Sequence, residues 1–152
     1  MRGVVSSLAV AVALAGCGSD RGAGEANSYV HAVNRAQAGF ATSVQRLSGR
    51  IGATSDAAAD RRVLRSFDSA ITRVVGDLRK ITPPDRVAGL HRRLVGQMDA
   101  YRRRVRRETS VLRANDAGRL VAVQQRLLVA TSRVSGQVNA TIDSINRALR
   151  KG

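Results

Sequence analysis

Several residue types are scarce in this chain, and each shortage excludes a class of protein. Cysteine occurs once, at position 17, so no internal disulfide can form. Tryptophan is absent, aromatic residues make up 3% and proline occurs twice, which argues against a β-sandwich, because its strands need aromatic residues and turn punctuation. The two histidines and two glutamates cannot supply the ligands of a ferritin-like di-metal bundle. We therefore expect a helical protein that is not an enzyme and binds no metal.

The N-terminal stretch has the composition of an export signal. Arg2 supplies a positive charge, and an apolar run follows from Val4 to Leu14, interrupted only by Ser6 and Ser7. This run is far shorter than the roughly 20 residues needed to cross a bilayer. It therefore predicts a signal peptide over residues 1–16 and not a membrane span.

The signal ends in Leu14-Ala15-Gly16-Cys17, which resembles the lipobox of bacterial lipoproteins. The resemblance covers the first 17 residues and implies cleavage after Gly16 and a diacylglyceryl group on Cys17. Two or more acyl chains anchor a protein stably, whereas one chain binds only reversibly. We therefore expect a lipid-anchored protein on the extracytoplasmic side of the cell membrane. Residues 17–26, rich in glycine and polar residues, are expected to form a flexible tether after the lipidated cysteine.

The chain is strongly basic. Removal of residues 1–16 leaves 136 residues with 25 basic and 11 acidic side chains, a formal net charge of +14, and all the basic residues except Lys80 and Lys151 are arginine. At a membrane, such a charge attracts anionic lipid headgroups or phosphate-rich wall polymers. Nucleic acid is not an expected partner, because an exported lipoprotein does not normally meet it.

Apolar residues recur three and four positions apart across residues 27–152, which predicts four amphipathic helices. The first is expected to begin near Asn27 and the second to run from Ser55 to Ile81, with corners over residues 49–55 and 114–116. Long helices with short connections predict an all-α, antiparallel up-down four-helix bundle. The predicted core positions are Val30, Val33, Gln37, Phe40, Val44, Leu47 and Ile51; Leu64, Phe67, Ile71, Val74, Leu78 and Ile81; Val87, Leu90, Leu94, Met98, Tyr101, Val105 and Leu112; and Leu120, Val123, Leu127, Val134, Val138, Ile142, Ile145 and Leu149.

The start of the third helix is predicted from its capping residues. Thr82 is expected to be the N-cap, with Pro83 at the first helical position and Asp85 as the acidic member of a capping box. The helix is expected to end near Arg113. The segment from Pro83-Pro84 to Leu90-His91 is also similar to short helical lipoproteins of GC-rich Gram-positive bacteria, a resemblance that implies no particular chemistry.

The third helix carries the candidate site, a set of arginines that could bind anions. Because five of them surround the apolar positions Tyr101 and Val105, a purely solvated outer face explains them as well as an anion-binding surface does. Arginines that recur on the fourth helix are expected to lie over the core edge with their charged heads in water. The candidate anion-binding residues are Arg92, Arg93, Arg102, Arg103, Arg104, Arg106 and Arg107, and the flanking arginines of the fourth helix are Arg119, Arg126, Arg133 and Arg147.

Two further polar residues lie close to predicted core positions. His91 is expected to be partly buried and bonded to a carbonyl or carboxylate, because neither it nor His31 has metal-ligand neighbours. Glu108 is expected to pair with Arg104 or with an arginine on a facing helix.

These features together predict a binding or accessory module that engages anionic envelope components through its basic surface. One alternative is an accessory subunit for an envelope protein, which would need a contiguous exposed apolar patch. Another is a small-ligand sensor with a hollow around Phe40, Phe67 and Tyr101.

Overall fold

The computed structural model of the chain describes residues 20–48, 57–110 and 117–151, and in these ranges the protein is all-α. Four helices are present there: α1 (Asp20–Ser48), α2 (Ala57–Arg79), α3 (Ala88–Ser110) and α4 (Ala117–Arg150), with one 3-10 turn, Asp85–Val87, before α3. No helix in these ranges is both long and apolar enough to span a bilayer. The predicted signal peptide, Cys17, both predicted corners and the predicted core positions Ile51 and Leu112 lie outside the described residues.

The first helix begins earlier than its sequence predicts. α1 starts at Asp20 and not near Asn27, so the part of the expected tether from residue 20 to residue 26 is helical. The glycines in this stretch each cost about 1 kcal/mol relative to alanine in a helix. Burial of Ala26 and Tyr29, which are 4% and 3% exposed, offsets that cost.

The start of the third helix was also predicted wrongly. Pro84, and not Thr82, precedes the first helical turn, with ψ of 146° and no side-chain cap hydrogen bond. The reason is that Pro83 itself precedes a proline, and a residue in that position is driven away from helical angles. The chain therefore enters the helical turn two residues later than predicted, where the Val87 N–H donates to the Pro84 carbonyl over 2.9 Å. Val87 is fully buried and fixes this turn to the core.

The helices pack in chain order. α1 packs on α2, α2 on α3 and α3 on α4, and the 3-10 turn contacts both α3 and α4. Three polar contacts join α3 to α4, and along them α4 numbers rise as α3 numbers fall. These contacts are Glu108 with Arg126, Tyr101 with Thr131, and Gln97 with Thr141.

Two groups of contacts relate the other helices. The rings of Phe40 (α1), Phe67 (α2) and Tyr101 (α3) meet in series, with centroid separations of 6.3 and 6.2 Å. Farther along the same helices, Tyr29 of α1 contacts His91 of α3, which also bonds to the Leu78 carbonyl at the end of α2. Across these contacts, the residue numbers of one helix rise as those of the next helix fall.

The core follows the predicted periodicity closely. Of the predicted positions that the structure describes, most are buried, and Phe40, Phe67, Ile81 and Leu90 are partly buried against the core. Burial of each large apolar side chain contributes about 1.5–3 kcal/mol relative to exposure. The structure adds buried residues that the three-four spacing did not include: Ala26, Tyr29, Val63, Ala70, Val75 and Ala130.

Candidate anion-binding groove

Two of the seven predicted anion-binding arginines are held by an internal acid. Asp99 is 8% exposed and accepts hydrogen bonds from Arg102 Nε over 3.1 Å and from Arg103 Nη1. Arg79, at the end of α2, approaches the same carboxylate at 3.4 Å. Three guanidinium groups thus share one carboxylate: Arg102 and Arg103 pair with it within α3, and Arg79 joins the end of α2 to α3.

Glu108 has the partner that its position predicts on a facing helix. Its Oε2 accepts a hydrogen bond of 2.7 Å from Arg126 Nε, which joins α3 to α4. The prediction that Glu108 pairs with an arginine on a facing helix is therefore confirmed, and the alternative partner, Arg104, forms no ion pair with it. Because the Arg126 side chain is 46% exposed, water screens this pair and its contribution to stability is small.

A groove of about 550 Å³ lies between α3 and α4. Its floor is made largely of small and apolar residues, which keep side-chain atoms away from the line where the helices meet. Polar side chains of both helices surround this floor. The groove is lined by Arg93, Gly96, Gln97, Ala100, Tyr101, Arg104, Arg107, Val129, Ala130, Arg133, Val134 and Gln137.

Four guanidinium groups border the groove, and each is exposed: Arg93, Arg104 and Arg107 from α3 and Arg133 from α4. None of the four has a hydrogen-bond or ion-pair partner among the residues that the structure describes. No acid lines the groove. Guanidinium groups form charge-assisted, often bidentate hydrogen bonds with phosphates and carboxylates. The arrangement can hold an anion, and no nucleophile stands beside a base there.

The remaining predicted arginines, Arg92 and Arg106, are exposed on α3 and lie outside the groove. The sequence analysis therefore placed three of the four groove arginines, Arg93, Arg104 and Arg107, in the candidate site. It expected Arg133 only to lie over the edge of the core. On α3, the three-four spacing of residues 93, 97, 100, 104 and 107 places them on one face of the helix. On α4, residues 130, 133 and 137 share a face in the same way, and this spacing could have indicated that Arg133 belongs to the candidate site.

A second polar cluster is buried between α1, α2 and α3. His91 Nε2 lies 3.0 Å from the Leu78 carbonyl and therefore donates to it, which leaves Nδ1 to accept from the Tyr29 hydroxyl over 3.2 Å. The prediction that His91 bonds to a carbonyl is confirmed. Burial raises the pKa of Tyr29 to about 12. Burial lowers the pKa of His91, and the hydrogen bond to the Leu78 carbonyl partly offsets this by raising it. Burial raises the pKa of Tyr101, and the hydrogen bond to Thr131 partly offsets this by lowering it.

Two further features bear on the alternatives. The Phe67 ring contacts both Phe40 and Tyr101, the residues around which a ligand sensor would need its hollow. Large apolar side chains are exposed on α4, with Val121 at 53%, Leu128 at 70% and Val129 at 64%. Val129 also lines the groove, so apolar surface and arginines adjoin.

Comparisons of the chain with protein-family models, with curated proteins and with solved structures found no match. Within the described ranges, no three His, Cys, Asp or Glu side chains come together as a metal site would require. The interpretation of the groove therefore depends on its own geometry and charge.

Proposed function

We propose that the chain is an exported lipoprotein, anchored through Cys17, that acts as a non-enzymatic binding module for anionic components of the cell envelope. The proposal includes an antiparallel up-down bundle as its fold. The opposed numbering of contacts between successive helices supports this arrangement, as does a single core shared by all four helices. The lipobox-like motif supports the anchor.

The observation that carries the proposal is the uncompensated charge of α3. Asp99 and Glu108 are the only acids in this helix, and both are engaged in ion pairs. Five of the seven candidate arginines, Arg92, Arg93, Arg104, Arg106 and Arg107, are exposed and their guanidinium groups have no hydrogen-bond or ion-pair partner among the described residues. A protein does not need such a concentration of positive charge for solubility, whereas an anionic ligand would stabilise it. Basic residues near an anionic surface contribute about 1 kcal/mol each.

The first experiment is co-sedimentation of the chain from Gly18 onward, which lacks the lipid, with neutral and anionic vesicles. We expect binding to anionic vesicles only, in about 50 mM salt, and loss of binding in about 300 mM salt, because the Debye length falls from about 14 to about 6 Å. Equal binding to both vesicle types would contradict an electrostatic surface. Absence of binding in either salt, to vesicles and to anionic polymers alike, would refute the proposal.

The anchor is tested separately. Cells producing the full chain are labelled with a clickable fatty acid, and we expect label on the wild type and none on Cys17→Ala. Equal labelling of both would show that acylation does not occur at this cysteine.

A second candidate function, an accessory subunit for an envelope protein, is favoured by the exposed apolar residues Val121, Leu128 and Val129. Apolar side chains of this size on one exposed helix are typical of protein interfaces. Crosslinking from a photoreactive residue at position 128 in intact cells would distinguish this function. A single discrete protein adduct would favour it, and adducts with lipid or polymer would favour the anionic ligand.

A further inference from the structure

We propose that the groove between α3 and α4 binds a linear phosphate-bearing polymer along its length. This inference rests on the proposed function and specifies its ligand class and site. It separates the groove arginines from the rest of the basic surface, which would then attract anions without holding them in one geometry.

The length of the groove is the first argument. Arg93 and Arg107 are fourteen residues apart on α3, which corresponds to about 21 Å along a helix. Arg104 lies one turn before Arg107. The contact between Tyr101 and Thr131 places Arg133, two residues farther along α4, near the level of Tyr101 on the opposite wall. The positive charge is therefore distributed along the elongated trough, with Arg104 and Arg107 at one end, Arg133 near the middle and Arg93 at the other end. A compact anion can contact only one end.

The middle of the trough supplies neutral donors. The side-chain oxygen of Gln97 accepts a hydrogen bond of 3.1 Å from Thr141, so its amide N–H groups remain as donors. Gln137, which also lines the groove, is exposed on the opposite wall. Amides between two charged ends suit a chain of phosphates or phosphodiesters, whose oxygens accept hydrogen bonds at every repeat.

The floor of the trough explains how a chain can lie in it. Gly96 and Ala100 of α3 and Ala130 of α4 are the smallest residues of the lining, and an added Cβ at Gly96 would meet no atom within 4 Å. Open space therefore lies over the floor between the three arginines of α3 and Arg133 of α4. A flat bilayer meets the outer ridges of the two helices, whereas a single polymer chain fits between them.

The test is calorimetric titration of the full-length chain, in neutral detergent micelles, with linear inorganic polyphosphate and with orthophosphate. Two double variants are compared: Arg104→Gln with Arg133→Gln in the groove, and Arg92→Gln with Arg106→Gln outside it. The pairs remove the same charge, and all four side chains are exposed. Circular dichroism confirms that each variant is folded.

We expect the wild type to bind polyphosphate and to bind orthophosphate at least tenfold more weakly at equal phosphate concentration. The groove variant should lose about ten- to a hundredfold in affinity for polyphosphate, because two charge-assisted contacts are removed. The control variant should lose less than about threefold, because its charges act only at a distance through screening solvent.

Four results would overturn the inference. Equal weakening of the two double variants would show that only net charge matters, which leaves the proposed basic surface in place and removes the groove. Binding to anionic vesicles without binding to polyphosphate would have the same meaning. If the wild type bound polyphosphate and orthophosphate with equal affinity, that result alone would contradict an extended site, whatever the variants showed. Failure to bind either vesicles or polyphosphate would refute the proposed function as well.

Discussion

Raising the pH above 10 should destabilise this protein through one buried tyrosine. Tyr29 is 3% exposed, and its hydroxyl donates to His91 Nδ1, whose ring donates in turn to the Leu78 carbonyl. A phenolate at Tyr29 has no proton to donate and would face the lone pair of that nitrogen. The ring could supply a proton only by releasing the Leu78 carbonyl. Ionisation is therefore opposed by burial and breaks a chain of two hydrogen bonds.

The size of the effect follows from the pKa of Tyr29, which burial raises from 10.0 to about 12. Between these values the unfolded chain has lost the tyrosine proton and the folded chain still holds it, so the free energy of unfolding falls as the pH rises. The full contribution is about 3 kcal/mol, present below pH 10 and lost progressively as the pH rises to about 12. Tyr101 acts in the same direction, since burial raises its pKa too. Domains are stable by only about 5–15 kcal/mol, so this loss is a large fraction of the total.

The assay combines phenolate absorbance with urea unfolding from pH 9 to 12. The absorbance is simple to interpret, because the chain contains two tyrosines and no tryptophan. The matched variant is Tyr29→Phe, which keeps the ring and removes the ionisable group. We expect it to be about 1–3 kcal/mol less stable at pH 8, because His91 Nδ1 loses its donor, and to lose less stability than the wild type from pH 10 to 12.

Two results would refute this reasoning. One is ionisation of both tyrosines near pH 10 while the circular dichroism of the folded protein is unchanged. The other is an alkaline loss of stability in Tyr29→Phe as steep as that of the wild type.

Three further predictions concern stability. Burial lowers the pKa of His91, so the unfolded chain takes up a proton at this residue before the folded chain does as the pH falls below about 6.5. The free energy of unfolding should therefore decrease below that pH. In urea titrations, His91→Phe should make this decrease smaller. Asp99→Asn should lower the free energy of unfolding by about 1–2 kcal/mol, because it leaves Arg102 and Arg103 without their ion-pair partner. This loss should be smaller in high salt, and a loss independent of salt would contradict an electrostatic cause. Ile71→Ala should cost about 2–5 kcal/mol in urea unfolding, whereas Leu128→Ala should change stability by less than about 0.5 kcal/mol; similar costs would contradict the assigned burial.

The helical class and most of the core were predictable from apolar spacing alone. Residues such as Val123 and Ile142 recur at intervals that only a helix brings to one face, and both are buried. The role of His91 was also predictable, because a histidine beside core leucines without ligand neighbours needs a backbone partner.

Where the sequence-based predictions failed, local preference was overridden by packing or by neighbouring residues. Glycine content near the N-terminus suggests a tether, but burial of Ala26 and Tyr29 extends α1 back to Asp20. The expected capping box at Thr82 failed because two successive prolines restrict the chain more strongly than a cap attracts it. The groove itself depends on how α3 and α4 are rotated against each other, which the periodicity of one helix does not specify.

The early start of α1 sets the distance between Cys17 and the arginines of the groove. Only Gly18 and Ser19 separate Cys17 from a helix that rises about 1.5 Å per residue. Phe40, twenty residues along α1, reaches the level of Tyr101 through Phe67, so Arg104 stands about 30 Å beyond the start of α1. The field of an anionic leaflet decays over about 8 Å at physiological ionic strength. If the proposed anchor at Cys17 holds the molecule upright, α1 would act as a spacer that places Arg104 and Arg107 beyond the reach of the headgroups, where the proposed polymer ligand would meet them.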